Sequence, residues 1–176
     1  ILILTAISGV AGYFKADLLR DEFHRIAIAQ GFTPRIIEIT GRNHTDKQDI
    51  AEIANQMKGK SILAIDLMAM REDILQLGWV EDVVIIRTLP DKLEIRLSER
   101  QPVALLQSAK GHQLIDASGA VIHGANPANF NHLIVASGKG AAERAGVIID
   151  ILRTEPEIFS DVWAVQYISQ RRWDIH

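Results

Sequence analysis

The sequence contains no cysteine. That absence excludes a disulfide framework, a thiolate nucleophile and a zinc site built on Cys. It leaves the compartment open, because a cysteine-free chain suits the cytosol and the periplasm alike. There is no lysine-arginine stripe and the formal net charge is −3, so the electrostatic footprint of a nucleic-acid partner is missing. Gly-x-Ser-x-Gly is absent, and Ser118-Gly119 is therefore no nucleophile elbow. Ser137-Gly138-Lys139-Gly140 precedes a helical pattern but lacks both the Walker spacing and the Ser or Thr after Lys. His112, His123 and His132 lie in one region without a His-x-x-x-His or carboxylate pattern to join them, which reads as surface or loop histidine. Glu99 and Arg100 are neighbours on a strand pattern, so their side chains point to opposite faces and cannot form an acid-base pair. No catalytic, cofactor-binding or metal-binding residue is assigned, and the expectation is a protein that is not an enzyme.

What remains is an ordinary folded composition, 48% hydrophobic and 23% charged over 176 residues, enough for one domain or two small ones. The first fourteen residues, Ile1 to Phe14, carry no charge. A bilayer span needs about 20 apolar residues, so this run alone reads as a buried segment, the core of a signal peptide, or the end of a transmembrane helix. In the last case Tyr13, Phe14 and Lys15 sit where an aromatic and basic membrane boundary belongs. Lys15 to Gln30 then sets Leu19, Phe23, Ile26 and Ala27 at helical spacing, with Gly31 and Pro34 as stops.

From Arg35 the pattern is strand, helix, helix, strand, strand. Ile37 and Ile39 lie on one face of a strand closed by Gly41. Thr45 and Gln48 have the spacing of a capping box for a helix over Thr45 to Lys58, whose apolar stripe is Ile50, Ile53, Ala54 and Met57. Asp66 is the N-cap of a second helix over Leu67 to Leu77, stopped by Gly78. Leu93, Ile95 and Leu97 alternate with Glu94, Arg96 and Ser98, the pattern of a sheet with one wet face. Val83 to Ile86 is uniformly apolar, as in a strand buried on both faces, although two helices can cover only one face of such a sheet. Further on, Ser118-Gly119 is a turn between apolar stretches, and Gly138 to Ala142 leads into a helix closed near Pro156. Asp161 to Ser169 and Arg171 to Ile175 read as two more strands.

Trp79-Val80, the apolar run to Arg87, the Pro90-Asp91 turn and Glu99-Arg100-Gln101-Pro102-Val103-Ala104 follow one another in a recognisable order. That order resembles the polypeptide-transport-associated (POTRA) domain of the cell-division family FtsQ, also called DivIB. Gly31-Phe32, Ile37 to Gly41 and Ser61 to Asp66 fit upstream. Leu114 to Gly119 is similar to the hairpin that opens the family's second, β-rich domain, and Arg171-Arg172-Trp173-Asp174 is similar to alphaproteobacterial members. Gly78 stands where a Pro often precedes the Trp.

The resemblance implies an α+β protein: an N-terminal POTRA module (β-α-α-β-β), then a β-rich domain with one helix that stops short of the family's last strands. The corresponding segments are 1–14, the end of a transmembrane helix; 15–34, a juxtamembrane amphipathic connector; 35–103, the POTRA domain; and 104–176, the β domain. The implied role is a divisome scaffold, single-pass in the inner membrane, with its domains in the periplasm at the division septum. Implied partners are FtsB and FtsL, with FtsK, FtsW and the septal transpeptidase as further candidates, and neither a nucleic acid nor a small-molecule substrate. The family meets FtsB chiefly through its last strand region; were this chain the whole natural product that contact would be in doubt, and a fragment or an incomplete gene is the simpler explanation. The alternative is a POTRA-type module of an outer-membrane assembly or secretion system binding β-rich clients, which would be followed by more POTRA repeats or a barrel. In such folds the second strand, here Val83 to Arg87, commonly lies at the sheet edge. Asp82, Ile85, Arg87 and Glu99 are the expected partner-binding residues, with Arg87 and Glu99 at least partly exposed.

Overall fold

The computed structural model describes residues 19–109 and 111–176. The expected transmembrane end at 1–14 lies outside the described residues. Among those described, no helix is long and apolar enough to cross a membrane. Two compact units are present. One comprises residues up to Arg42, Asp46–Ile74 and Asp82–Leu97, and the other Asn43–Thr45, Leu75–Glu81 and Ser98–His176.

The first unit opens on helix α1 (19–29). Gly31, at φ +89°, turns the chain so that the Phe32 amide bonds back to Ala27 O at 2.9 Å, a left-handed stop that glycine adopts without a Cβ penalty. Strand β1 (Ile36–Thr40), helices α2 (Lys47–Asn55) and α3 (Leu67–Leu75), and strands β2 (Val80–Thr88) and β3 (Lys92–Glu99) follow. The sheet order is β1-β3-β2, with β1 parallel to β3 and Ile37 and Ile39 opposite Leu93 and Ile95. Only three residues join β2 to β3, and so short a connection requires an antiparallel pair. On β3 the alternation is as expected: Leu93, Ile95 and Leu97 are buried, while Arg96 and Ser98 are exposed. Met57, Ile62 and Ile65 pack with Leu93, so the helical segments close one face of the sheet. On the other face Lys92 bridges Glu38 and Glu94, and Arg96 pairs with Glu94.

The two helix starts differ instructively. Asp66 caps α3 as expected, its carboxylate accepting from the amides of Met68 at 2.9 Å and Ala69 at 3.1 Å. The expected Thr45–Gln48 capping box is not formed. Asp46 caps α2 instead, accepting from Gln48 N at 2.8 Å, and the helix starts at Lys47. Thr45 is engaged elsewhere, by a carboxylate 54 residues away.

The second unit carries a five-stranded mixed sheet. Its elements are β4 (Pro102–Ser108), β5 (Gly111–Asp116), β6 (Val135–Ser137), α4 (Ala142–Arg153), α5 (Pro156–Asp161), β7 (Ala164–Ile168) and β8 (Arg172–Ile175), in strand order β5-β4-β6-β7-β8. β4–β5 and β7–β8 are antiparallel, whereas β4–β6 and β6–β7 are parallel. A parallel neighbour needs a crossover, which α4 and α5 supply between β6 and β7. Ala145, Ile149 and Leu152 of α4 pack with Ala104, Ile115, Ala136 and Val165 of the sheet. The expectation of one helix here needs correction. Pro156 does not merely close α4. It also opens α5, since a proline at the first helical position has no amide to lose.

Candidate functional site

Strand β2 has β3 on one side and no strand on the other among the described residues. Its apolar run is not buried on both faces. Val83 is 2% exposed, Val84 is 51% exposed, and Ile85 and Ile86 are half-buried. Side chains alternate across a strand, so Val83 and Ile85 share a face and Val84 stands on the other. The unit therefore presents an open edge with an exposed aliphatic side chain beside it.

Part of that edge is already occupied. Arg71, on α3, donates from Nε to Val83 O at 3.1 Å and from Nη2 to Asp82 Oδ1 at 2.6 Å. The amide of Val83 and the Arg71 guanidinium together hold the exposed Asp82 carboxyl below its usual range. The main-chain carbonyl of Val83 is thus engaged by a side chain. Nothing in the sequence pattern singles out Arg71, which borders the apolar stripe of Leu67, Met70 and Ile74 on its helix.

Arg87 is partly exposed, within the expectation, but it is not free. It is half-buried, its Nη2 donates to Ile65 O at 2.5 Å, and its Nε is buried with no partner among the described residues. The guanidinium ties the end of β2 to the backbone just before the Asp66 cap. Arg87 therefore has a structural role whatever else it contacts.

Glu99 overturns the expectation of exposure outright: its side chain is 1% exposed. Its Oε1 accepts from Thr45 N at 2.8 Å and His44 N at 3.1 Å, and Oε2 from His44 N at 2.8 Å. Burial raises the pKa of this carboxyl, but bonds from the Thr45 hydroxyl and from the amides of Thr45, His44 and Asn43 outweigh it, bringing it to about 2. The charge is buried because donors converge on it, the arrangement that makes a buried carboxylate tolerable. His44 in turn stacks on Trp79 with ring centroids 4.1 Å apart and planes 10° from parallel. Trp79 is a core anchor, packed against Leu105, Leu114 and Ile122. Arg100, which follows Glu99, donates to Asp116 Oδ2 at 2.6 Å. Asp116 Oδ1 organises the following turn by accepting from Ser118 N, Ser118 Oγ and Ala120 N.

Three of the four expected residues, Asp82, Ile85 and Arg87, therefore lie along the open strand, and the fourth is a buried clamp. Among the described residues no group of three His, Asp or Glu side chains is placed to hold a metal ion.

Comparison with known proteins agrees with this architecture. Residues 32–100 match the family model of the POTRA domain, FtsQ-type, and residues 104–176 match that of cell division protein FtsQ/DivIB, C-terminal. The cell division protein FtsQ of Zymomonas mobilis is 32% identical over 179 residues, covering 100% of this chain and 57% of that protein. FtsQ of Caulobacter vibrioides is 30% identical, covering 99% of the chain and 58% of the relative. FtsQ of Agrobacterium fabrum is 33% identical over 148 residues, 84% of the chain and 47% of the relative. The chain thus spans roughly half of the length of these alphaproteobacterial relatives. The part after the POTRA match is neither another POTRA repeat nor a barrel, so the outer-membrane alternative is not favoured. With both family models matched in order, the chain belongs to the FtsQ/DivIB family of bacterial cell-division proteins.

Proposed function

We propose that this chain is a non-enzymatic scaffold of the divisome that recruits other division proteins through the open edge of β2. The observation that carries the reading is the strand order β1-β3-β2 together with the exposure of Val84, 51% on an edge strand. An edge of this kind recognises an extended segment by strand addition: main-chain bonds supply affinity and alternate side chains supply specificity. Asp82, Ile85 and Arg87 would line that contact. Glu99 would act at a remove, as a positioning residue that holds the His44–Thr45 backbone.

In this reading residues 35–103 form the POTRA domain and 104–176 the β domain, both in the periplasm at the septum, anchored in the inner membrane through the uncharged run Ile1 to Phe14. FtsB, FtsL, FtsK, FtsW and the septal transpeptidase are the proposed partners. The test is localisation of fluorescently tagged division proteins in cells depending on this chain or on an Ile85→Pro variant. Proline removes one amide donor and distorts the edge. Loss of late proteins from the septum, with helix content and chain abundance kept, supports the reading. Normal recruitment by the variant would refute it.

A further inference from the structure

Alternate residues of an edge strand turn both their N–H and their C=O away from the sheet, where another strand can take them. At Val83 a side chain meets the carbonyl instead, which accepts from Arg71 Nε at 3.1 Å. Arg71 and Asp82 close the arrangement on themselves through a 2.6 Å ion pair. Arg71 thus stands where the donor of an added strand would stand, at one carbonyl of the edge.

We infer that Arg71 guards the edge of β2 against pairing with the β2 strand of a second copy of this chain. The strand itself suits such pairing. It holds no Pro or Lys, and antiparallel pairing about a two-fold axis at Val84 sets Val83 opposite Ile85 and Val84 opposite itself. The same register brings Glu81 opposite Arg87 at both ends, a pairing of opposite charges that stabilises cross-strand contact. The guard is also displaceable. The side chains of Arg71 and Asp82 are 40% and 55% exposed, so water and salt weaken their attraction. The inference rests on the proposal that β2 is a docking edge, because a division partner adding a strand there would have to move the same guanidinium aside.

The experiment uses the full chain in detergent, since its first fourteen residues are uncharged and largely apolar, and measures mass by sedimentation across a range of concentrations. Arg71→Ala should shift the monomer–dimer equilibrium toward dimer at least several-fold, and Asp82→Asn, which loosens the anchor of Arg71, by less. The absence of cysteine makes Val84→Cys a unique thiol. With Arg71→Ala that thiol should cross-link to its own copy much faster than in the single variant. Circular dichroism of Arg71→Lys, which keeps the stem and the charge, controls for loss of fold.

A monomeric Arg71→Ala chain with native helix content would overturn the inference. So would dimers whose Val84→Cys thiols do not cross-link faster than those of the guarded chain. Either result leaves the recruitment reading standing. Dimerisation of the unguarded chain, with division partners still recruited by Ile85→Pro, would sustain the guard and sink that reading instead.

Discussion

Replacing Glu99 by glutamine changes one oxygen into an NH2 group and removes a charge without changing shape. At Oε1 the amide oxygen can still accept from Thr45 N, but the new NH2 then faces His44 N, which donates to Oε2 at 2.8 Å in the native chain. Donor meets donor. The folded-state pKa near 2 against an ordinary value of 4.5 is a gap of roughly 2.5 units, so ionisation of Glu99 contributes about 3 kcal/mol at neutral pH. A hydrogen bond to a charged group is worth about 1.5–3 kcal/mol and glutamine keeps one acceptor, so the expected loss at pH 7 is about 2–3 kcal/mol. The sign of the pH dependence follows from the depressed folded value. The contribution is complete above 4.5 and is lost as pH falls toward 2. Urea unfolding of both chains at pH 7, 5 and 3 should show the difference in stability wide at the first two and shrinking at the third. Amide exchange at His44 and Thr45 should accelerate in the variant at pH 7. A loss below about 0.5 kcal/mol, the range of ordinary surface substitutions, would refute the clamp. An undiminished difference at pH 3 would show that the charge is not its cause.

Arg87→Ala should cost about 1–2 kcal/mol in urea unfolding, because it removes the bond to Ile65 O, where an exposed arginine would cost almost nothing. In Gly78→Ala the new Cβ would lie 2.2 Å from His123 O, so backbone must shift, and a loss of about 2–3 kcal/mol is expected by calorimetry. Amide exchange along β2 in the monomer should alternate, with protection at residues bonded to β3 and rapid exchange at those facing outward; uniform protection would mean that the edge is covered. Asp116→Ala should destabilise the 116–120 turn by about 2–3 kcal/mol, since it strips three donors of their acceptor and leaves Arg100 without its partner. Chemical denaturation would register that loss.

Periodicity and local stops carried much of the architecture. The alternation at Leu93, Ile95 and Leu97 identifies β3 because strand side chains repeat every two residues whatever lies beyond them. Asp66 could be read as a cap because its partners, Met68 and Ala69, are two and three residues away. Thr45 satisfied the same local rule and failed it, because Glu99 takes its amide from 54 residues away and leaves the cap to Asp46. Pro156 reads as a stop in the sequence and is equally a start, an ambiguity inherent in a residue that breaks one helix and suits the first turn of the next.

The candidate site divides along the same line. Composition and order of residues determined that the chain lacks thiol chemistry, that its first module runs β-α-α-β-β, and that it resembles FtsQ/DivIB, because each of these is written in types and spacings along the chain. Which strand lies at the edge, that Arg71 covers Val83, that Arg87 is tied to Ile65 and that Glu99 is buried were decided only by tertiary structure. Each depends on where main-chain donors and acceptors from distant segments come to rest. A charged side chain read one residue at a time looks solvated until the fold brings several such groups around it.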